Sequence, residues 1–315
     1  MHVLLSGGSG FVAAHIIDGL LSRGHTVVTT VRSQEKIDAI KAAHPNNVGA
    51  GLDAVVHTAS PFRFNVTDIK KDLVDPAVIG TTSILHAIKN YAPSVKRVVI
   101  TSSFGAIDNP LKGNWPGYTY SEADWSPITL ADALNNPPNG YRASKAFAEK
   151  AAWDFLEKEK PNFTLTTINP PLAFGPIVHC LNSLDALNTS NQLIRNLLQG
   201  KYKDELPDMI IFLWVDVRDL ALAHIRAIEI PDAADKRFFV TEGYFSNREI
   251  VEIVRKNFPE YAKELPGEDV KGGGYPEEGL YKFDNSRAVD VLGLKFRGLE
   301  ESVVDTVKSL KEVGV

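Results

Sequence analysis

Short apolar runs alternate, through the first half of the chain, with longer stretches whose apolar residues recur at helical spacing. Val3-Leu4-Leu5, Val27 to Val31, Asp53 to His57, Val98 to Thr101 and Leu165 to Ile168 have the length and composition of buried strands. Phe11 to Ser22, Ser33 to Ala43, Val78 to Tyr91 and Tyr141 to Lys158 read as helices. Gly24 supplies a left-handed stop after the first, and Ser33 an N-cap for the second. Strand–helix alternation of this kind predicts an α/β fold, a Rossmann-like doubly wound parallel sheet covered by helices on both faces.

Beyond Asn169 the pattern loosens. Pro170, Pro171, Pro176 and the polar stretch Leu181 to Asn191 predict irregular structure. Ile210 to Val215 and a helix Val217 to Ile230 read as a return to the main sheet. Phe238 to Val240 and a helix opened by the capping-box spacing Ser246-Asn247-Arg248-Glu249 follow. Gly272-Gly273-Gly274 reads as a loop, and Arg287 to Leu292 and Leu299 to Leu310 as helices. The expected organisation is a dinucleotide-binding domain over 1–169, rejoined by about 210–240. A smaller, discontinuous C-terminal substrate lobe would be built mainly from 170–209 and 241–315.

Composition narrows the classes. The chain has 315 residues, 44% of them hydrophobic and 23% charged, as in globular enzymes. A formal net charge of −5 disfavours nucleic acid and anionic membrane surfaces as partners. Cys180 is the single cysteine, so no intrachain disulfide can form; this fits a reducing compartment and a cytoplasmic location. Strand-like residues begin directly after Met1-His2, which leaves no room for a targeting peptide, and no apolar run reaches bilayer length. The eight histidines show no metal-ligand spacing, and Cys180 reads as a small packed hydrophobe. A homodimer is left open as an assembly.

The chemistry gathers at strand ends. Ser6-Gly7-Gly8-Ser9-Gly10-Phe11-Val12-Ala13 joins the first strand to the first helix. Gly7 permits a tight turn, Gly10 a close approach to pyrophosphate, and Ala13 close packing of helix on strand. The helix N-terminus adds free N–H groups for phosphate. Ser9, Phe11 and Val12 complete the loop expected to hold a dinucleotide. Arg32 follows the second strand, where an NAD site tends to place a carboxylate. A guanidinium there binds a 2′-phosphate, Lys36 one turn on adds a second positive charge, and the implied cofactor is NADPH/NADP+.

Tyr141-Arg142-Ala143-Ser144-Lys145 places a phenol and an ammonium on one helical face. The ammonium stabilises phenolate and brings a tyrosine towards acid–base work at neutral pH. Arg97-Val98-Val99-Ile100 runs into Thr101-Ser102-Ser103 at the carboxyl edge of the expected sheet, where open α/β sheets bind ligands. Ser103 there donates to a carbonyl oxygen while Tyr141 protonates it, with Phe62 and an exposed Phe104 as apolar walls. Asp216 and Arg218-Asp219 read as capping and ion pairing at a helix start.

Together these segments, with VVHTASP, INPPLAFGP and WVDVRDLALAH, resemble the extended short-chain dehydrogenase/reductases over nearly the whole chain. More narrowly they resemble fungal NADPH-dependent carbonyl and methylglyoxal reductases related to dihydroflavonol reductases. The resemblance implies an oxidoreductase, a ketoreductase or alcohol dehydrogenase acting on CH–OH groups, with Ser103 rather than Ser102 catalytic, beside Tyr141 and Lys145. It implies that His57, Thr58, Ala59 and Ser60 pass close to the cofactor, that Asn169-Pro170 approaches the nicotinamide, and that Leu172 lines the substrate, where relatives often place an aromatic ring. Thr101 and Pro170 join the expected cofactor contacts. The implied reaction is NADPH-dependent reduction of small or apolar aldehydes and ketones, methylglyoxal among the candidates. The competing readings are a nucleotide-sugar epimerase or dehydratase of the same superfamily and a catalytically silent dinucleotide-binding partner protein. Few basic residues between Pro170 and Asn191 disfavour the former, and the intact Ser103, Tyr141 and Lys145 set disfavours the latter.

One interval breaks the pattern. The resemblance implies a further strand and crossover between the second helix and the strand at Asp53, but only His44 to Leu52 lie there. A parallel crossover needs at least about ten to twelve residues including its helix. Either the chain lacks that strand, leaving the second strand an open edge, or the natural protein carries further residues around Val48-Gly49-Ala50-Gly51. The second alternative is favoured, since an open edge is an aggregation liability.

Overall fold

A computed structural model describes residues 1–31, 36, 40, 51–60, 66–134, 136–178, 184 and 187–315. Within them the strands, in chain order, are β1 (His2–Ser6), β2 (Thr26–Thr30), β3 (Ala54–His57), β4 (Arg97–Thr101), β5 (Thr119–Tyr120), β6 (Thr164–Asn169), β7 (Leu172–Phe174), β8 (Leu213–Asp216), β9 (Lys236–Phe239), β10 (Gly243–Tyr244) and β11 (Lys282–Phe283). Six form the main sheet in the order β2-β1-β3-β4-β6-β9, and every neighbouring pair is parallel. The fold is the expected Rossmann-like α/β sheet.

The two-residue period of the strands sorts their side chains between two cores. Val3, Leu5, Val56, Val99 and Ile168 pack with Ile16, Leu20, Ala221 and Ile225, under the helices Phe11–Ser22 and Val217–Glu229. Val55, Val98, Ile100 and Leu165 pack on the other face with Leu85, Ile88, Ala152 and Phe155, under the helices Asp75–Tyr91 and Pro137–Glu159. Burial on both faces is why these strands read as continuous apolar runs rather than alternating ones.

The register brings Ser6 beside Thr30 and His57, and Thr101 beside Ile168. The carboxyl ends of the strands therefore share one edge, and the chemical residues gather along it.

Several elements differ from expectation. Two prolines open the helix that carries Tyr141, which starts at Pro137; proline suits a first turn whose N–H groups lack partners anyway. The preceding helix starts at Asp75 and continues a π-helical turn over Lys70–Val74. Pro76 lies just inside it, and a widened turn accommodates the proline's missing N–H. A helix Thr189–Leu198 occupies part of the stretch expected to be irregular; its polar first turn hid the apolar face of Ile194, Leu197 and Leu198.

The expected return of Ile210 to Val215 to the main sheet is corrected. β8 pairs with β7 and β10 in a separate three-stranded sheet, and the place beside β6 is taken by β9. That small sheet packs with the helices Thr189–Leu198, Asn247–Asn257 and Leu299–Glu312 around Phe174, Trp214, Phe245 and Val307. Asp216 caps the helix Val217–Glu229 through Arg218 N (2.8 Å), and Arg218 also pairs with Asp305 (2.8 Å). Asp219 pairs with Arg297. These acidic residues have the structural role expected of them.

β2 has β1 as its one strand neighbour among the described residues. Its Val28 is 43% exposed, an unusual value for a strand of a doubly wound sheet. Of the expected second helix, Lys36 and Ile40 are described, and both are helical.

Candidate active site

The Gly-rich turn is held by backbone bonds. Gly10 N donates to Gly7 O (2.9 Å) and Gly8 N to Thr30 O (3.2 Å), folding the loop back over the end of β2. Gly7 has φ +76, and a Cβ there would lie 3.1 Å from Ala59 Cα. At Gly8 a Cβ would lie 1.9 Å from Thr29 Oγ1, so this position admits glycine alone. Among the described residues no side chain caps Gly10 at the start of the helix Phe11–Ser22, and a helix N-terminus of this kind suits a phosphate. Ser9 and Val12 are half-buried and Phe11 is buried, its ring edge-on to His15.

The segment after β3 is fastened to the same corner. Thr58 Oγ1 donates to Ser6 O (2.6 Å), Ala59 N donates to Ser6 Oγ (3.3 Å), and Ser6 Oγ meets His57 Nδ1 (2.7 Å). Burial, and secondarily the charge of Lys145, pushes the His57 pKa down to about 4, so the imidazole is neutral. His57, Ala59, Ser60, Thr101, Lys145 and Glu149 line one cleft at the carboxyl edge. A glycine turn without Cβ atoms beside a helix N-terminus suits the pyrophosphate of a dinucleotide. Lys36 is half-buried, while Arg32 lies outside the described residues.

The three hydroxyls at and just after the end of β4 have three different fates. Thr101 Oγ1 bonds His224 Nε2 (2.7 Å), whose Nδ1 faces Leu220 O (2.8 Å). Since a carbonyl only accepts, Nδ1 carries the proton and Nε2 accepts from Thr101. Burial holds His224 neutral, its pKa down to about 4. Ser102 Oγ donates to the buried carboxylate of Glu149. Ser103 Oγ accepts from Gly105 N (3.1 Å) and lies 3.4 Å from Tyr141 Oη as acceptor, so its own proton remains free for a ligand. This assignment gives a physical reason for favouring Ser103 over Ser102.

Lys145 lies one turn beyond Tyr141 and is 8% exposed, its Nζ 5.8 Å from the phenol ring centroid. Burial pushes its pKa down to about 8, against the raising effect of Glu149. The expected lowering of the tyrosine involves the oxidised cofactor as well as Lys145, and the chain alone shows the opposite direction. Burial raises the Tyr141 phenol above its ordinary value, Asp108 adds to this, and the Ser103 hydrogen bond and Arg142 oppose it. Arg142, beside Tyr141, is locked in a buried ion pair with Asp108 (2.7 Å).

Phe104, expected as an exposed wall, is corrected to a core residue. It is 1% exposed, stacked on Phe239 at 5.1 Å and edge-on to Tyr120 at 5.5 Å. Its backbone N–H donates to Pro170 O (2.7 Å), which ties the serine segment to the strand end at Asn169. Leu172 is half-buried on β7 and packs against the lobe core. Phe62 and Cys180 lie outside the described residues. Sequence reasoning missed Gly8 and Glu149. Continuing the Tyr141–Lys145 spacing by one further turn would have found Glu149.

A profile of the NAD dependent epimerase/dehydratase family matches residues 3–240. Ketoreductase azaE of Aspergillus niger is 46% identical over 335 aligned positions, covering 98% of this chain and 97% of that protein. NADPH-dependent methylglyoxal reductase GRE2 of Saccharomyces cerevisiae is 36% identical, with 98% of each chain covered. The crystal structure of yeast methylglyoxal/isovaleraldehyde reductase Gre2 complexed with NADPH has a TM-score of 0.91 at 36% identity, covering 100% of this chain and 99% of that one. The Aspergillus alignment spans 335 positions against 315 residues here, so that relative has residues with no counterpart in this chain. The chain therefore belongs to the NAD dependent epimerase/dehydratase family, the extended short-chain dehydrogenase/reductases, and is similar within it to fungal NADPH-dependent methylglyoxal reductases and ketoreductases.

Proposed function

We propose that this chain reduces small aldehydes and ketones with NADPH in the cytosol, methylglyoxal among them, using Ser103, Tyr141 and Lys145. The observation that carries the reading is the free hydroxyl proton of Ser103 beside the Tyr141 phenol. A carbonyl oxygen placed beside this pair could accept from both hydroxyls once the Tyr141 proton turns from Ser103 Oγ to the substrate. Bound NADPH supplies the hydride that the carbonyl carbon receives.

Ser103 donates to the carbonyl oxygen and polarises it. Tyr141 Oη gives its proton to that oxygen as negative charge develops, so the product leaves as an alcohol. With its pKa held above the ordinary value, the phenol is fully protonated at neutral pH and ready as the donor. Lys145, charged below about pH 8, stabilises the phenolate that remains and is placed to hold the nicotinamide ribose. Gly7, Gly8, Gly10 and the open helix start hold the pyrophosphate, Thr58 to Ser60 pass beside it, and Arg32 with Lys36 recognises the 2′-phosphate. Leu172 and Phe62 are assigned to the substrate side.

Incubation with NADPH and methylglyoxal, followed by absorbance of the reduced cofactor and product analysis, tests this. One alcohol should appear per NADPH consumed. Conversion of a nucleotide sugar with no net cofactor oxidation would overturn it in favour of an epimerase or dehydratase.

A further inference from the structure

Glu149 is 2% exposed, a depth at which an acidic side chain is seldom found without partners. Here its two oxygens are fully engaged. Oε1 accepts from Arg237 Nε (2.6 Å), Thr167 Oγ1 (2.8 Å) and, at longer range, Trp153 Nε1 (3.4 Å). Oε2 accepts from Ser102 Oγ and from Asn169 Nδ2 (2.7 Å). The same Asn169 amide also donates to Ser103 O (3.2 Å). The carboxylate thus grips β4, β6 and β9 from the helix that bears Tyr141 and Lys145. It holds the serine segment twice, through the Ser102 hydroxyl and through the Ser103 carbonyl.

We propose that Glu149 is a positioning residue of the reduction: it clamps the Ser103 segment to the Tyr141–Lys145 helix and sets the electrostatics of the cleft at Lys145. The inference rests on the reductase reading and deepens it. Tyr141, Lys145 and Glu149 lie at successive i, i+4 positions, so the three share one face of the helix Pro137–Glu159. Around Lys145, β3 contributes the neutral His57, β4 contributes Thr101, the segment after it Ser102, and the helix Asp75–Tyr91 contributes Thr81. Glu149 is the anionic group of that cleft and opposes the lowering of the Lys145 pKa by burial. On its far side Arg237 balances the carboxylate, itself held by Glu122 O and Asp124 O (both 2.6 Å) and by the Trp125 ring at 3.7 Å.

The experiment compares the pH profiles of kcat/KM for carbonyl reduction by wild type, Glu149→Gln and Ser102→Ala, with NADPH affinity measured alongside. In the wild type, rate should fall above about pH 8 as Lys145 loses its proton. Glu149→Gln removes the supporting charge, so that limb should move about one unit lower, with kcat down about tenfold and NADPH affinity nearly kept. Ser102→Ala keeps the charge and cuts one tie, so kcat should fall several-fold with the limb in place. A folded Glu149→Gln enzyme whose limb superimposes on wild type overturns the proposal. If that variant does not fold, Ser102→Ala decides, and wild-type kcat there overturns it. An inactive wild type would instead refute the reductase reading, which separates the two failures.

Discussion

Three consecutive hydroxyls follow one another from the last residue of β4, and their partners sort them by role. Thr101 is bound to a neutral buried histidine and Ser102 to a buried carboxylate, each bond worth about 1–3 kcal/mol in such surroundings. Ser103 Oγ instead accepts, from Gly105 N and from the Tyr141 hydroxyl. The Tyr141–Lys145 spacing was legible because helical periodicity needs no tertiary information. The partners of Thr101 and Ser102 were not, since His224 and Glu149 arrive from distant stretches of chain. Arg32, which lies outside the described residues, is proposed by a different route, from its place in the sequence after the second strand. Arg32→Asp should shift the NADPH-to-NADH ratio of kcat/KM towards NADH by about tenfold or more, because a carboxylate repels a 2′-phosphate and accepts from a ribose hydroxyl. An unchanged ratio would place the discrimination at other residues.

Among the elements, the turn after β1 is the most exacting. Its glycines were read as a cofactor loop, yet Gly8 received no role, because its constraint is the side chain of Thr29 on β2 rather than a ligand. A methyl group at Gly8 would meet Thr29 Oγ1 at 1.9 Å and Thr29 Cβ at 2.8 Å, so the loop would have to lift off the sheet. Gly8→Ala should weaken NADPH binding about tenfold or more, read by fluorescence titration, and lower Tm by a few degrees. Wild-type affinity would mean that the loop tolerates displacement. Strands buried on both faces were found almost to the residue. Element starts at Pro137 and Asp75 were set too late, since proline marks a boundary in the sequence without saying on which side of it the helix lies. Phe104 was misplaced because a hydroxyl-rich strand end reads as exposed. The aromatic cluster that covers it comes from β5, β9 and the segment around Tyr281.

At the scale of the whole molecule, the sheet order draws attention to the short interval before β3, and a relative's alignment is longer than this chain. β2 ends the sheet among the described residues, with Val28 43% exposed, and a 46% identical relative has residues that this chain lacks. A parallel strand beside β2 would cover that edge and wall the adenine side of the cleft. We expect the protein from its natural source to carry the missing strand. Its intact mass should then exceed the 34.5 kDa of this chain by a few kilodaltons. A mass equal to 34.5 kDa would instead establish a true deletion, with β2 as a real edge. The assignment of β8 to its own sheet was not anticipated. Strand period and composition do not specify which sheet a strand joins, and here β9, later in the chain, takes the place beside β6.

The account stands or falls on the proton donor. Single-turnover mixing of the NADPH complex with a small ketone measures hydride transfer apart from cofactor binding. For Tyr141→Phe the account predicts nearly unchanged NADPH affinity and a transfer rate lower by about 10²-fold or more, as for loss of a positioned general acid. Ser103→Ala should lose rate as well, through weaker polarisation of the carbonyl. Transfer by Tyr141→Phe at the wild-type rate would contradict the account.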